Sequence, residues 1–314
     1  MLDISTINVA RKILILGAAQ IIHQKTKTVY HHRNRNLHCV YWGGKITYNG
    51  NQVKLVNTCT IDNLQMALWV LSRCQLNFFQ ILPQVPQSRA LIQMIEFIEN
   101  IDPANHHSNY RNQWNKAKEK FILDIMDPQM RPPVNIYGEM DFYGSEYGKF
   151  IVHLANFQLH DVRQICTINC PNDGAIIRRN EHAIYLNKVN NNVVLQSMWT
   201  GLCSQCRMHF DTMVDFGQNN PNFLIIQTIH RVIEYHEMPD TIIIDNRTFK
   251  LICATIHDQI RAHFVSIIKI NESSYFIDGK GRVVDLLPAF NQNILHRRRL
   301  AGPMFISSSL YFLI

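Results

Sequence analysis

Hydrophobic residues in the first half of the chain mostly recur at the three- and four-residue spacing of α-helices. This spacing predicts a helix over residues 2–24, followed by a polar segment over residues 25–36. Three more amphipathic helices are predicted over residues 61–82, 88–98 and 112–126. Residues 144–159 also carry an apolar stripe at helical spacing. We therefore expect the N-terminal half to be mainly helical.

An alternating segment between His38 and Val56 interrupts this helical pattern. Apolar and polar residues alternate on both sides of Asn49-Gly50. Asn-Gly between two such runs is a strong hairpin signal, because both residues tolerate the positive φ of a tight turn. The sequence thus predicts a β-hairpin just before the helix over residues 61–82.

The pattern changes after Val162 to short runs rich in β-branched and aromatic residues. Predicted strands cover residues 175–177, 183–186, 193–198, 223–229, 241–244, 249–256, 264–270 and 275–277. The chain is therefore expected to have an α+β fold, with a helical N-terminal lobe against an antiparallel β-sheet lobe. We place an N-terminal helical extension at residues 1–36, the helical lobe at 37–160 and the β-rich lobe at 161–314.

Composition indicates a globular protein with room for a large core. The 314 residues are 46% hydrophobic and only 18% charged, which argues against disorder. The apolar run from Ile13 to Ile22 is too short to span a bilayer, so no membrane partner is predicted. The net charge of +7 suits an acidic partner, but the basic residues are scattered apart from runs at 31–35 and 296–299. Nucleic acid is therefore only a weakly supported partner.

Four of the eight cysteines form two close pairs, Cys166 with Cys170 and Cys203 with Cys206. Pairs at this spacing, in a chain without a clear secretory signal, are typical of a tetrahedral site with four thiolates, so we predict structural Zn²⁺. Separate buried thiols and a reactive dithiol are the alternatives. Reduced cysteines predict an intracellular location, in the cytoplasm or nucleus.

Cys59 lies where the alternating segment ends and a helix begins. The free N–H groups and positive dipole end of a helix lower the pKa of a thiol there and offer donors to an oxyanion. A cysteine at this position is therefore suited to act as a nucleophile.

A histidine and an aspartate complete the candidate chemistry. His263 begins one predicted strand and Asp278 closes the next, so a hairpin would place the carboxylate beside the imidazole. The carboxylate would then orient one ring nitrogen and leave the other to face a thiolate. We predict Cys59 as nucleophile, His263 as general base and Asp278 as the orienting residue, in preference to Asp285, which lies farther past the strand.

These segments resemble the sequence boxes of the ubiquitin-specific proteases, a papain-like group of deubiquitinating enzymes. The cysteine box is matched by Asn57-Thr58-Cys59-Thr60-Ile61-Asp62-Asn63, and the histidine box by His263-Phe264 with Tyr275 and Asp278. Residues 144–151 are similar to the family's Asp-Ala-x-Glu-Phe helix, and residues 224–227 to its Leu-rich strand. The two cysteine pairs fall in the interval where the family often carries a zinc-binding fingers insertion.

The resemblance implies a papain-like cysteine protease fold with a zinc-ribbon-like fingers insertion. It also implies a thiol-dependent hydrolase that cleaves a peptide or isopeptide bond after ubiquitin or a ubiquitin-like modifier, whose conjugates are the expected partners. The family usually has Asn or Gln five residues before the nucleophile as the oxyanion donor, whereas this chain has Lys54. Lys54 and Asn57 are both candidates for that role. Arg261-Ala262 replaces the glycines common before the histidine.

Two alternatives stay open at this point. A transglutaminase-like or other papain-fold enzyme shares the chain order Cys, His, Asp. A catalytically inactive relative, derived from a mobile element or virus, would only bind a modifier or nucleic acid. Lys54 at the oxyanion position and the basic clusters at Arg33–Arg35 and Arg297–Arg299 favour this second alternative.

Overall fold

The structure is a computed structural model. It describes residues 41–75, 78–83, 85–101, 108–166, 176–189, 192–197, 203, 206, 210–228, 233–258, 261–270, 273–280, 283–287 and 305–314. The predicted helix over residues 2–24, both basic runs and Cys170 lie outside the described residues. Among the helices in the described ranges, none has the length and apolarity needed to cross a bilayer.

The predicted hairpin is present as strands β1 (Gly44–Tyr48) and β2 (Asn51–Val56), paired antiparallel. Asn49 and Gly50 have φ values of 50° and 77°, the left-handed conformation that the tight turn requires. The short strand β3 (Glu139–Asp141) pairs in parallel with β2. The hairpin ends at Val56, three residues before Cys59, where the next helix begins.

The three helices predicted over residues 61–126 are confirmed as α1 (Cys59–Cys74), α2 (Pro86–Glu99) and α3 (Ser108–Lys120). The inward face of α1 consists of fully buried side chains at three- and four-residue spacing, namely Leu64, Ala67, Leu68 and Leu71. Each buried leucine contributes roughly 1.5–3 kcal/mol to folding. α2 begins with Pro86, whose fixed φ suits the first helical turn. α3 continues as a π-helical turn over Phe121–Ile125.

The prediction of one helix over residues 144–159 is wrong in detail. The structure has a short helix α4 (Glu146–Lys149) and a 3-10 helix over Ile151–Phe157. Phe150 between them leaves the helical conformation, with φ −136° and ψ −57°. Its buried ring stacks on Phe121 with the centroids 4.6 Å apart, so the residue at the break packs into the core.

Most of the second half forms one nine-stranded sheet. Its strands are β6 (Ile184–Val189), β7 (Asn192–Ser197), β9 (Phe223–Thr228), β10 (Thr241–Ile244), β11 (Arg247–Asp258), β12 (His263–Ile270), β13 (Ser273–Asp278), β14 (Val283–Leu287) and β15 (Phe305–Leu313). Their order is β14-β13-β12-β11-β15-β9-β6-β7, with β10 beside β11. All pairs are antiparallel except β6 with β9. A separate sheet contains β4 (His160–Cys166), β5 (Ile176–Glu181) and β8 (Phe210–Asp215).

The large sheet is buried on both faces. Along β9, Phe223 and Ile225 contact the core shared with the helices, whereas Leu224 and Ile226 join a second core on the opposite face. The α+β class, with a helical lobe on an antiparallel sheet, is therefore confirmed. The first turns of α1 pack beside strand β12, so the helical lobe contacts the sheet where both elements begin.

Candidate active site

Cys59 is the first residue of α1 and lies at a sharp change of chain direction. Asn57 adopts φ 54°, and the carbonyl of Thr58 accepts the N–H groups of Ile61 and Asp62 at 2.9 Å each. The turn holds the Cys59 Sγ 3.9 Å from the carbonyl oxygen of Asn57, with only 7% of the residue exposed. The predicted position of the thiol at a helix N-terminus is thus present.

The pKa of the Cys59 thiol differs from the sequence expectation. This pKa is raised from 9.0 to about 11, mainly by burial and to a smaller extent by the carboxylates of Asp62 and Glu146. A hydrogen bond from the backbone of Phe264 acts in the opposite direction but is outweighed. The resting nucleophile candidate is therefore a protonated thiol.

His263 and Asp278 are hydrogen-bonded, with 2.8 Å between Nε2 and Oδ1. They lie on neighbouring antiparallel strands, because His263 begins β12 and Asp278 ends β13. The carboxylate can only accept, so the Nε2 nitrogen carries the hydrogen and a neutral ring keeps its lone pair on Nδ1. The two side chains are 6% and 18% exposed, which excludes most competing water.

Ala262, immediately before His263, adopts the left-handed φ of 47°. This conformation costs a residue with a side chain about 1–2 kcal/mol, whereas glycine adopts it readily. The chain nevertheless adopts this turn with Ala262, directly before His263.

A cleft of about 200 Å³ lies between the two lobes, next to Cys59. It is lined by Asn57, Cys59, Thr60, Tyr143, Gly144, His257, Ala262 and Phe264. The lobes are also linked below the cleft, where Ser266 Oγ of β12 donates to Asn63 Oδ1 of α1 at 3.3 Å. Cys59 and the two residues that flank His263 thus face one shared cleft.

The two oxyanion candidates occupy different surroundings. Asn57 lines the cleft, and its Nδ2 donates to Asp141 Oδ1 at 2.9 Å. The Lys54 side chain is 58% exposed, and its Nζ lies 2.7 Å from Glu139 Oε1. Lys54 is not among the residues that line the described cleft.

A buried charged pair beneath the cleft was missed from the sequence. Asp62 lies in the first turn of α1, where acidic residues are common, and its Oδ1 is 2.9 Å from Lys118 Nζ. Lys118 occupies a position of the buried stripe that includes Trp114 and Ala117 of α3 and Phe121 of the π-helical turn after it. A lysine at a core position of a helix is the sequence signal that points to such a pair.

Three of the four predicted metal ligands lie together. The Sγ atoms of Cys166, Cys203 and Cys206 are all within 4.8 Å of one another, and those of Cys166 and Cys206 are 3.1 Å apart. Thiolates around one zinc ion, each at about 2.3 Å, are separated by roughly 3.8 Å. These three thiols are therefore close enough to bind one metal ion, whereas Cys170 lies outside the described residues.

Comparison with known proteins gives only distant similarities. No protein-family model and no curated protein matches the chain. Over 83% of this chain and 67% of the other, it is similar to the Ubp8-Sgf11-Sgf73-Sus1 SAGA DUB module, with 10% identity and a TM-score of 0.41. The MERS coronavirus papain-like protease matches over 87% and 68% at 8% identity and a TM-score of 0.41.

The third similarity is to the pseudoubiquitin hydrolase-RNA exonuclease module of Saccharomyces cerevisiae Pan2, in complex with AAGGA RNA. It covers 88% of this chain but only 54% of that chain, at 10% identity and a TM-score of 0.41. This chain therefore spans about half the length of the Pan2 module.

Proposed function

We propose that this chain is a cysteine-type hydrolase that cleaves a peptide or isopeptide bond after the C-terminus of ubiquitin or a ubiquitin-like modifier. The observation that carries the proposal is the 2.8 Å hydrogen bond between His263 Nε2 and Asp278 Oδ1, beside the cleft that Cys59 lines. A thiol at a helix N-terminus and an imidazole held by a carboxylate supply the groups that acyl transfer requires. The choice of modifier follows from the resemblance of the cysteine and histidine boxes.

In the proposed mechanism, Cys59 Sγ attacks the carbonyl carbon of the scissile bond while the thiol proton passes to Nδ1 of His263. The imidazolium then gives this proton to the departing amine, and a thioester is left on Cys59. Water next gives a proton to His263 as its oxygen attacks the thioester. The sulfur leaves, recovers the proton from His263, and the free carboxylic acid is released. Asp278 holds the ring and stabilises the imidazolium in both steps.

The raised pKa of Cys59 determines which form of the base is needed. Because the resting thiol is protonated, His263 must be neutral to accept the proton during attack. Asn57 is the better oxyanion donor of the two candidates, since it lines the cleft while Lys54 is paired with Glu139. Its Nδ2 would have to exchange the carboxylate of Asp141 for the oxyanion.

We further propose that Cys166, Cys203 and Cys206, with Cys170 as fourth ligand, hold a structural Zn²⁺. The soft donor set suits zinc, and four thiolates leave no position for a reactive water. When bound, the ion would link the β4 strand to the segment around Cys203 and Cys206 and would take no part in hydrolysis.

A binding-only relative is the competing function. It is favoured by the pKa of about 11 at Cys59 and by Lys54, which is paired with Glu139 where related enzymes carry an amide. Such a protein would recognise a modifier or a nucleic acid without cleaving it.

The test is covalent labelling with ubiquitin that carries a C-terminal thiol-reactive group, under reducing conditions. We expect an adduct with the wild type that is lost in Cys59→Ala and strongly reduced in His263→Ala. Cys253→Ala is the matched control, because Cys253 is fully buried in the sheet and should leave the adduct intact. A folded wild type without an adduct would contradict the ubiquitin assignment, and salt-sensitive nucleic-acid retention would then favour the binding-only function.

A further inference from the structure

A buried pair of opposite charges lies directly beneath the first turn of α1. Lys118 Nζ of α3 is 2.9 Å from Asp62 Oδ1, and the two side chains are 0% and 2% exposed. Removing two charges from water is costly, so a pair without further polar contacts would destabilise the fold. The hydrogen bonds around this pair therefore decide whether it can be tolerated in the core.

The pair is bonded to the residue that precedes Cys59. Thr58 Oγ1 donates to Asp62 Oδ2 at 2.7 Å and accepts the N–H of Gly43 at 2.7 Å. Lys118 Nζ donates to the carbonyl oxygen of Gly43 at 2.6 Å and to that of Tyr41. Asp62, Lys118 and Thr58 thus connect α1, α3 and the segment over residues 41–43.

The segment over residues 41–43 also reaches the other half of the candidate site. The Nζ of Lys280, two residues after Asp278, lies 5.5 Å from the ring centroid of Trp42, a distance suited to a cation–π contact. One short segment therefore contacts both the start of α1 and the turn that follows the orienting carboxylate.

We propose that Asp62 and Lys118 are positioning residues for the nucleophile, which hold Thr58 and the start of α1 and set the local charge around the Cys59 sulfur. This inference rests on the proposed role of Cys59. The carboxylate opposes a negative charge on the sulfur, and the ammonium favours it. The two members of the pair consequently act on the nucleophile in opposite directions, although both contribute to the same structural contact.

Other charged or titratable groups around the sulfur come from separate elements. Glu146 of α4 is held by Thr255 Oγ1 at 2.5 Å and by Ser308 Oγ at 2.7 Å. His263 lies on β12, and His257 of β11 lines the same cleft. Burial raises the pKa of Asp62 to about 6 although Lys118 lowers it, so Asp62 is mainly ionised at neutral pH.

The test is pulse alkylation of the reduced protein with iodoacetamide at neutral pH, with labelling of the Cys59 peptide quantified by mass spectrometry. Asp62→Asn keeps the shape of the side chain, and we expect it to speed Cys59 labelling about tenfold because it removes a carboxylate charge that raises the pKa of Cys59. Lys118→Met removes the ammonium that favours the ionised form of Asp62, so we expect it and the double variant Asp62→Asn/Lys118→Met to label Cys59 at similar rates. Lys120→Met is the matched control, since Lys120 pairs with Asp124 on the exposed side of the same region.

Folding is checked in the same experiment, because the fully buried Cys253 stays unlabelled while the sheet is intact. If Lys118→Met exposes Cys253, Asp62→Asn alone decides the question. Unchanged or slower labelling of Cys59 in Asp62→Asn would overturn the inference, because a purely structural pair predicts no acceleration. The result does not depend on hydrolase activity, because iodoacetamide labelling needs no modifier. If this test fails but ubiquitin still forms a Cys59-dependent adduct, the proposed function is unaffected.

Discussion

At the scale of single residues, Cys59 experiences two opposing influences. The helix N-terminus and the hydrogen bond from the Phe264 backbone favour the thiolate, whereas burial and two nearby carboxylates favour the protonated thiol. Burial prevails because the side chain is largely removed from water. The position of the cysteine was predictable from the sequence, but this balance was not, since it depends on side chains far away in the chain.

This balance predicts an unusual pH dependence for Cys59 in the free protein. Its thiolate fraction below pH 9 should be about 100-fold lower than that of an unburied cysteine, because its pKa lies near 11 instead of 9.0. We expect iodoacetamide labelling of Cys59 to keep rising about tenfold per pH unit up to pH 9 without a plateau. The unfolded chain in denaturant is the control and should level off near its ordinary pKa. A plateau near neutral pH in the folded protein would instead indicate a resting thiolate–imidazolium pair.

The pairing of buried Asp62 with Lys118 could not be predicted from the sequence. The sequence presents Asp62 as a routine residue of a first turn, and only the lysine at an apolar position of α3 departs from the expected pattern. Which carboxylate pairs with Lys118 depends on how α1 and α3 pack, and local spacing carries no such information.

At the scale of elements, the sequence predicted the helices and the hairpin whose formation depends on neighbouring residues. The β1–β2 hairpin follows from Asn49-Gly50, and α1 follows from its apolar face. The strands that were not predicted are β3, β4, β8, β14 and β15. β15 lies between β11 and β9 near the middle of the large sheet, yet both of its partners come from earlier parts of the chain. Its place is set by long-range pairing, for which the sequence of the strand alone gives no signal.

The proposed zinc site belongs to this scale because it would join the end of β4 to residues 203 and 206. We expect one zinc ion per chain, and we expect Cys203→Ser to lose the metal and lower the melting temperature, since structural zinc contributes directly to folding. Elemental analysis and thermal unfolding with and without a chelator provide the measurement. Cys253→Ala should retain its metal, whereas a full zinc content in Cys203→Ser would contradict the assignment.

At the scale of the whole molecule, the candidate site depends on contact between the helical lobe and the large sheet. The nucleophile candidate belongs to α1, and the base candidate and its carboxylate belong to β12 and β13. The bond from Ser266 to Asn63 and the shared hydrophobic core hold these elements together. The α+β class and the chain order of the three residues were predictable, whereas the buried charges beneath the cleft required the assembled structure.

The central claim is that Asp278 orients His263 for acyl transfer by Cys59, and a matched pair of aspartate variants tests it most directly. The measurement is kcat/KM for release of a fluorescent amine from the C-terminus of ubiquitin, with the wild type, Asp278→Asn and Asp285→Asn. Asp285 of β14 lies opposite Phe276 of β13 and carries the same chemistry, whereas Asp278 is the carboxylate whose Oδ1 lies 2.8 Å from His263 Nε2. We expect Asp278→Asn to reduce kcat/KM by about 10²- to 10⁴-fold and Asp285→Asn to change it little. Equal activity of the wild type and Asp278→Asn, or a loss confined to Asp285→Asn, would contradict the account.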